Sequence, residues 1–279
     1  MADLQVLIAA YGGDAAEKIA SLSHPELPGV EYLVSWQNFD TSKIPDSLNQ
    51  RSDFKIFYEE STGLSNNRNN LLQKASAPVV LISDQDVAYS QKHIKTILDS
   101  FEEYPDCDFL AFRYSSSDFP KVYPRTSFQL DSAPKGYFLS SIELALNLKR
   151  IKKLGNLSHW QFNPFFGING KLFGCAEEDV LMANVRNKGY RGRFIPADIC
   201  LHTGPTTSER KGAAKECIEA KGAAMIFIKP GTWTLRMLIH AWRASRNPSA
   251  KTPFFQYCRW WMEGVRKARA NKVFAHEKE

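Results

Sequence analysis

Short apolar runs set off by turn residues make up the opening part of the chain. Residues 4–10 (Leu-Gln-Val-Leu-Ile-Ala-Ala) predict a buried first strand, with a turn at 11–14. A helix over 15–22 follows, with Asp14 as its N-cap. Pro25, Pro28 and Gly29 break the chain before a second strand over 30–36, and 54–58 predicts a short third one. Residues 61–70 lead into a helix through Ala75, and 79–83 (Val-Val-Leu-Ile-Ser) predicts a strand covered on both faces. Strands alternating with helices in this way predict βαβ units and a parallel sheet.

Beyond this stretch the pattern is mixed. Helical spacing of Ile94, Ile97, Leu98 and Phe101 predicts a helix over 93–104, and 109–114 a further strand. Residues 115–134, rich in Ser, Pro and Asp, predict a long loop. An amphipathic helix is predicted over 140–154 and another over 176–188, stopped by Gly189. Between them, 160–172 alternates aromatics with Gly, Asn and Pro, and its Phe165-Phe166-Gly167-Ile168-Asn169-Gly170 segment suits a contact surface for a sugar or base more than a core. Short edge strands are predicted at 193–195 and 199–202. Helices are expected over 208–227, 232–246 and 253–270.

Composition narrows the class. The chain has 279 residues, 43% hydrophobic and 24% charged, enough for one large domain with an appendage. No apolar stretch is long enough to span a bilayer, and the N-terminus lacks a signal-peptide layout, so a cytoplasmic setting is expected. The five cysteines are widely spaced without a C-x-x-C pair, which argues against a disulfide framework or a zinc site. The net charge of +6 is uneven: residues 229–279 hold 11 Lys and Arg against 3 Asp and Glu, and the other 228 residues hold 25 against 27. A basic tail on a near-neutral body points to an anionic surface as its partner.

The candidate chemistry begins where the strand at 79–83 meets Asp84-Gln85-Asp86. If the strand persists, the two carboxylates share a side and offer an oxygen-rich seat for a hard divalent cation. The alternative is a helix cap at Asp84 and a turn residue at Asp86. Gly63-Leu64-Ser65 through Arg68 suits a phosphate at a helix start, or else an ordinary capped helix. Glu177-Glu178-Asp179 opens a helix, either as first-turn acids favoured by the macrodipole or as a general base. His202, at a strand end, is a further metal-ligand candidate beside the reading of a simply hydrogen-bonded imidazole.

In order and spacing these segments resemble the family-2 glycosyltransferases of the GT-A fold, over about residues 4 to 205. The resemblance implies an α/β, Rossmann-like, mostly parallel sheet flanked by helices. It places a catalytic domain at 1–207, with a nucleotide-sugar half at 1–115 and an acceptor half at 116–207, and a helical extension at 208–279. It implies a nucleotide-sugar donor, a UDP-sugar in the first instance, with Mn2+ or Mg2+ on the diphosphate. Ala9, Ala10 and Tyr11 map to the nucleotide, and Gly63, Ser65, Arg68 and Asn69 to the nucleotide and diphosphate. Asp84, Gln85 and Asp86 map to the D-x-D segment. Asp86 would hold the metal and His202 would complete its site, while Asp84 faces the ribose and donor sugar beside it. Asp179, with Glu178 as its neighbour, maps to the base that deprotonates the acceptor hydroxyl in a single inverting displacement. Glu177 leaves that register open by one. The chain departs from the family at Ala9-Ala10-Tyr11-Gly12 and at Ser35-Trp36-Gln37-Asn38, where an acidic cluster is usual; Trp36 or Gln37 would then meet the base.

Residues 232–270 combine Trp, Phe and Arg at near-helical spacing, as membrane-interface helices do; the alternative is that the aromatic faces pack on the catalytic domain and the arginines are solvated. The membrane reading predicts a peripheral enzyme on the cytoplasmic leaflet whose acceptor is a polyprenyl-diphosphate-linked saccharide, as in bacterial surface-polysaccharide assembly. Nucleic acid is not expected as a partner, since no recognition fold accompanies the basic segment. Two rivals stand beside this reading. A sugar-phosphate nucleotidyltransferase wants a basic Gly-rich N-terminal loop, and Tyr11-Gly12-Gly13-Asp14 has no Arg or Lys. A non-catalytic membrane scaffold would keep its function when Asp86 or Asp179 is replaced by Ala.

Overall fold

The computed structural model describes residues 2–116, 120–154, 157–204, 214–247 and 252–275. The parallel half of the sheet is built from β1 (Leu4–Tyr11), β2 (Val30–Gln37), β3 (Phe54–Glu59) and β4 (Val79–Asp84), in the order β3-β2-β1-β4. Every β1 residue but the last is buried, so its apolar run, interrupted only by Gln5, reflects cover on both faces. The connections are α1 (Ala15–Ser21), α2 (Asp46–Asn49) and α3 (Leu64–Lys74). Because the four strands are parallel, Tyr11, Gln37, Glu59 and Asp84 all end at one edge, where open α/β sheets bind ligands. Asp14 precedes α1, but its side chain makes no cap bond and instead pairs with Lys18 at 2.9 Å.

The other half of the sheet mixes directions. β8 (Leu144–Asn147) runs antiparallel between β4 and β6 (Phe109–Ser115). β9 (Gly192–His202) is parallel to β6 and takes β5 (Val87–Ala88) and β7 (Phe128–Gln129) antiparallel. α4 (Gln91–Glu103) falls where helical spacing places it. The helix expected over 140–154 is instead a 3-10 turn at Ser141–Glu143, then β8, then the short α5 (Leu148–Lys153). Leu144, Ala145 and Leu146 fill the gap between two strands and are wholly buried, so sheet pairing overrides their helix propensity. The two edge strands expected near 193–202 are one strand, bulged against β6, and the bulges together with Pro196 interrupt the alternation that would have joined them in sequence.

The chain forms two compact units: Met1–Thr62, Asn66–Gln161 and Val185–Pro205 in one, and Gly63–Ser65, Phe162–Asn184 and Thr206–Glu279 in the other. The boundary expected at 207/208, and the first residues of the helix expected over 208–227, lie outside the described residues. The first unit holds the sheet. The second contains most of α6 (Glu177–Asn187), with α7 (Lys215–Ile228), α8 (Trp233–Ser245) and α9 (Phe254–Ala270). The five cysteines are free thiols.

Two glycines set the α7–α9 crossing. A Cβ on Gly264 would overlap the Glu219 carbonyl, and one on Gly222 the Trp261 carbonyl, so the helix backbones touch directly. Trp261, Val265 and Ile218 are buried beside this crossing. Gly264→Ala should force the helices apart and cost at least about 1–3 kcal/mol, seen as a lower urea midpoint. Phe166 belongs to the core: it stacks on Phe173 at 4.9 Å and is buried with Ala220, Ala223 and Phe274. Within the Phe165–Gly170 segment expected as a sugar or base surface, the Phe166 ring is thus a core residue, whereas Ile168 is 46% exposed. The pattern looked irregular because the segment is a folded loop, closed by hydrogen bonds from Lys171, Leu172 and Phe173 back to Pro164 and Phe165.

Candidate active site

β4 carries its last residue, Asp84, to the ligand-binding edge of the sheet, and the strand stops there. Gln85 and Asp86 form a turn before β5, so strand alternation does not align the two carboxylates. They are placed by separate partners. Asp84 is gripped by Arg68, whose Nη2 lies 3.0 Å and 3.1 Å from its two oxygens and 2.6 Å from Ser141 Oγ. Arg68 is 2% exposed, while the Asp84 side chain keeps 29% exposure. Removing one partner of such a pair is costly because it leaves the other charge uncompensated. The guanidinium is thus engaged at Nη2 with both Asp84 and Ser141.

Asp86 is positioned from β9. Thr203 donates to the Asp86 carbonyl from both its N–H, at 3.1 Å, and its hydroxyl, at 2.9 Å. β5 pairs Val87 with His202, which brings His202 Nε2 to 3.5 Å from Asp86 Oδ2. The imidazole is buried, its ring 5.6 Å from that of Tyr114. One nitrogen and carboxylate oxygens suit Mn2+ or Mg2+. Among the described residues no three His, Cys, Asp or Glu side chains form a ready-made metal cage. A cation that keeps waters and substrate phosphates as ligands needs only one or two carboxylates from the protein. The residues present therefore fit such an ion.

The remaining strand-end residues divide by exposure. Tyr11 is 48% exposed and its N–H donates to Gln85 Oε1 at 2.8 Å, so Gln85 ties the D-x-D turn to the end of β1. Ala9 and Ala10 are buried within the sheet, Ala9 in register with Asp84, and the Ala10 carbonyl accepts from Asn67 Nδ2 at 2.9 Å. Asn69 is buried in α3. Trp36, expected against the base, is instead buried with its indole N–H on the Gly12 carbonyl at 2.8 Å. Gln37 is buried too and donates to Ser61 Oγ at 3.2 Å. Phe39 and Tyr58, with ring centroids 5.0 Å apart, are also partly open to solvent.

Several supporting residues escape sequence reading. Glu143 is fully buried and accepts from Lys121 Nζ at 2.5 Å, from the Tyr123 hydroxyl at 2.7 Å and from the Ser140 N–H at 3.1 Å. The Tyr123 oxygen in turn accepts the Tyr114 N–H, so the turn that supplies Ser141 to Arg68 also steadies the tyrosine against His202. Burial pushes the Glu143 carboxyl above its ordinary range, and the Lys121 ammonium works against that. Its signal in the sequence was an acid within the apolar run Ile142 to Leu146. Lys121→Met should cost about 3–5 kcal/mol at neutral pH, because a buried carboxylate loses its counter-charge. Denaturant titration should show the loss shrinking in mild acid, where Glu143 protonates, and largely relieved in Lys121→Met/Glu143→Gln.

In the second unit, Gly63 and Ser65 hold a loop. Gly63 has φ +95°, and a Cβ there would sit 2.9 Å from the Asn169 carbonyl. The Leu64 N–H donates to the Ile168 carbonyl at 2.9 Å, and the buried Ser65 hydroxyl donates to the Phe166 carbonyl at 2.7 Å. The Ser65 hydroxyl and the first helical N–H are thus engaged within this loop. That loop leads into α6 through Ala176, which at φ +76° is strained for a residue with a side chain. Glu177 is buried, its carboxyl packed close to Gly167. Glu178 is half-buried and Asp179 solvent-accessible, so the register points outward at these two. Although water reaches Asp179, protein surrounds it on most sides. That desolvation, with Glu178 adding repulsion and Lys221 opposing, raises its pKa to about 6.

Residues 37–171 match the family model described as "Glycosyl transferase family 2". No curated protein matches the chain. Among solved structures, S. aureus TarS 1-349 in complex with UDP-GlcNAc aligns at 13% identity over 98% of this chain and 92% of that one, with a TM-score of 0.59. The mannosyltransferase PcManGT from Pyrobaculum calidifontis, in complex with GDP-Man and Mn2+, aligns at 13% identity over 98% and 75%, with a TM-score of 0.50.

Proposed function

We propose that this chain, which matches the family-2 glycosyltransferase model over residues 37–171 and shares the GT-A fold of its structural neighbours, is a metal-dependent, inverting glycosyltransferase. It moves a sugar from a UDP-sugar to a hydroxyl of a lipid-linked saccharide. The carrying observation is the pairing of Asp86 with His202 at 3.5 Å, next to an Asp84 held by Arg68, at the carboxyl ends of parallel strands. The structural neighbours bound to UDP-GlcNAc, and to GDP-Man with Mn2+, support a nucleotide diphosphate-sugar as donor class.

The roles follow from the partners. Asp84 is already balanced by Arg68, so the cation falls chiefly to Asp86 and His202. Asp84, with its remaining exposure, accepts hydrogen bonds from the ribose and donor sugar. Bound there, Mn2+ or Mg2+ supplies positive charge for the leaving diphosphate. Tyr11 lines the nucleotide, and Gln85 and Asn69 keep the strand ends and α3 in place around it. Asp179 takes the proton from the acceptor hydroxyl as that oxygen attacks the anomeric carbon. The bond to the β-phosphate oxygen breaks on the opposite face, so the product is inverted. A carboxylate with a pKa near 6 is deprotonated at neutral pH and still basic enough for this step. Glu178 raises that basicity by repulsion.

The acceptor is a saccharide on a polyprenyl diphosphate, reached at the cytoplasmic leaflet through residues 232–270, in the building of a surface polysaccharide. No helix among the described residues is long and apolar enough to cross a membrane. Deleting 232–279 should release the enzyme from membranes.

A donor panel tests the reaction class. UDP-sugars with Mn2+ should release UDP, EDTA should stop the release, and NMR of the product should show inversion at the anomeric carbon. Turnover unaffected by EDTA, or a retained anomer, would refute the mechanism.

A further inference from the structure

α8 has two apolar stripes, and the fold uses only one of them. Ala241 is fully buried, and Trp233, Met237 and Ala244 pack with it against Ile218, Tyr257, Trp261 and Val265. The second stripe, Leu235, Leu238, Ile239 and Trp242, follows the helical spacing i, i+3, i+4, i+7. These four side chains are 59%, 45%, 41% and 51% exposed. Phe255, in the first turn of α9, is 84% exposed, whereas Tyr257, Trp261 and Val265 of that helix are buried. The aromatic residues of α9 therefore mostly build the helical core. The apolar side chains left open are the stripe on α8 and, at the start of α9, Phe255.

The ridge is set in positive charge. Arg236, Arg243 and Arg246 lie on or just past α8, which contains no Asp or Glu, and Arg259 is exposed on α9. The Arg246 guanidinium sits 4.4 Å above the Trp242 ring, so a cation is held directly on the apolar stripe. An amphipathic helix with Leu, Ile and Trp on one side and arginines beside them matches the boundary between acyl chains and anionic headgroups. A second copy of this chain is a poorer occupant, because self-contact along the ridge would bring the arginines of both copies together.

We propose that Leu235, Leu238, Ile239, Trp242 and Phe255 enter the surface of an anionic bilayer, with Arg236, Arg243 and Arg246 on its headgroups. This rests on the lipid-linked acceptor reading above and narrows residues 232–270 to one helix face. α9 serves as the support that holds that face outward.

Vesicle flotation of the full-length protein tests it. With phosphatidylcholine vesicles containing phosphatidylglycerol, the wild type should float. Leu238→Glu/Ile239→Glu should lower the partition coefficient at least about tenfold, since two buried apolar contacts are lost. Arg243→Gln/Arg246→Gln should weaken binding to the phosphatidylglycerol vesicles and leave any binding to pure phosphatidylcholine unchanged. Leu154→Glu, at a site 56% exposed elsewhere, should float like the wild type. The positions changed are exposed, and an unchanged thermal midpoint confirms folding. The proposal is overturned if the wild type ignores anionic vesicles or if the Leu238/Ile239 variant floats equally well. It is also overturned if ultracentrifugation shows a dimer that this variant dissolves while flotation is unaltered. UDP binding on the same samples reports separately on the catalytic reading.

Discussion

Asp179→Asn leaves UDP binding intact and lowers kcat by about 10²- to 10⁴-fold, the usual contribution of a positioned general base. The reason lies in the surroundings of the carboxylate. It opens to water at the start of α6, desolvation and Glu178 raise its pKa to about 6, and Lys221 keeps it from rising further. The direction of the pH profile follows. Below about pH 6 the carboxyl is mostly protonated and is then too weak a base to take the proton of the acceptor hydroxyl. Activity should therefore climb through about pH 6 and level off above it, and Asp179→Asn should abolish that limb. The sign for stability is opposite. The native state binds this proton more tightly than the unfolded chain does, so ionisation opposes folding as pH rises from the unfolded carboxylate range through about 6. Asp179→Asn should accordingly keep or raise the thermal midpoint at pH 7. If Glu178→Gln shows the kinetic loss and Asp179→Asn does not, the register shifts by one residue.

The second large effect belongs to Asp86. Replacing it with Ala removes a carboxylate from the seat of the cation and leaves His202 without its 3.5 Å neighbour. Loss of a group that stabilises charge on a leaving oxygen costs on the order of 10²- to 10³-fold in kcat. The concentration of Mn2+ needed for half-maximal activity should also rise steeply. His202→Ala should move the metal response in the same direction by less, because it removes a neutral donor. Asp84→Asn should differ in kind: Arg68 would lose its counter-charge, and KM for the donor should rise alongside the metal response.

Much of this arrangement is legible in the sequence because it depends on local patterns. Short, mostly apolar runs gave the four parallel strands, and the abrupt change from Ile82-Ser83 to Asp84 marked where β4 ends. α6 and its acidic first turn, and the paired helices of the tail, follow from helical spacing. What stayed hidden depends on contacts between distant segments. Nothing near Arg68 announces that it will grip Asp84 and Ser141. Gly63 and Ser65 resemble a phosphate loop because tight turns with small residues serve many purposes; their packing on Asn169 and Phe166 depends on a distant segment and has no local signal. Residues 144–147 carry helix formers, yet they complete a sheet because a gap between β4 and β6 must be filled. The tail was legible as aromatic and basic, but periodicity alone could not separate the buried rings of α9 from the exposed ridge of α8.

The central claim is that the Asp84–Asp86 turn and His202 form a cation-dependent seat for a uridine diphosphate. Calorimetric titration of UDP into the wild-type protein, with Mn2+ and then with EDTA, addresses it most directly. The account predicts saturable one-to-one binding with Mn2+ that weakens at least about tenfold when the cation is removed. Binding of equal strength in both conditions, or none in either, would contradict it.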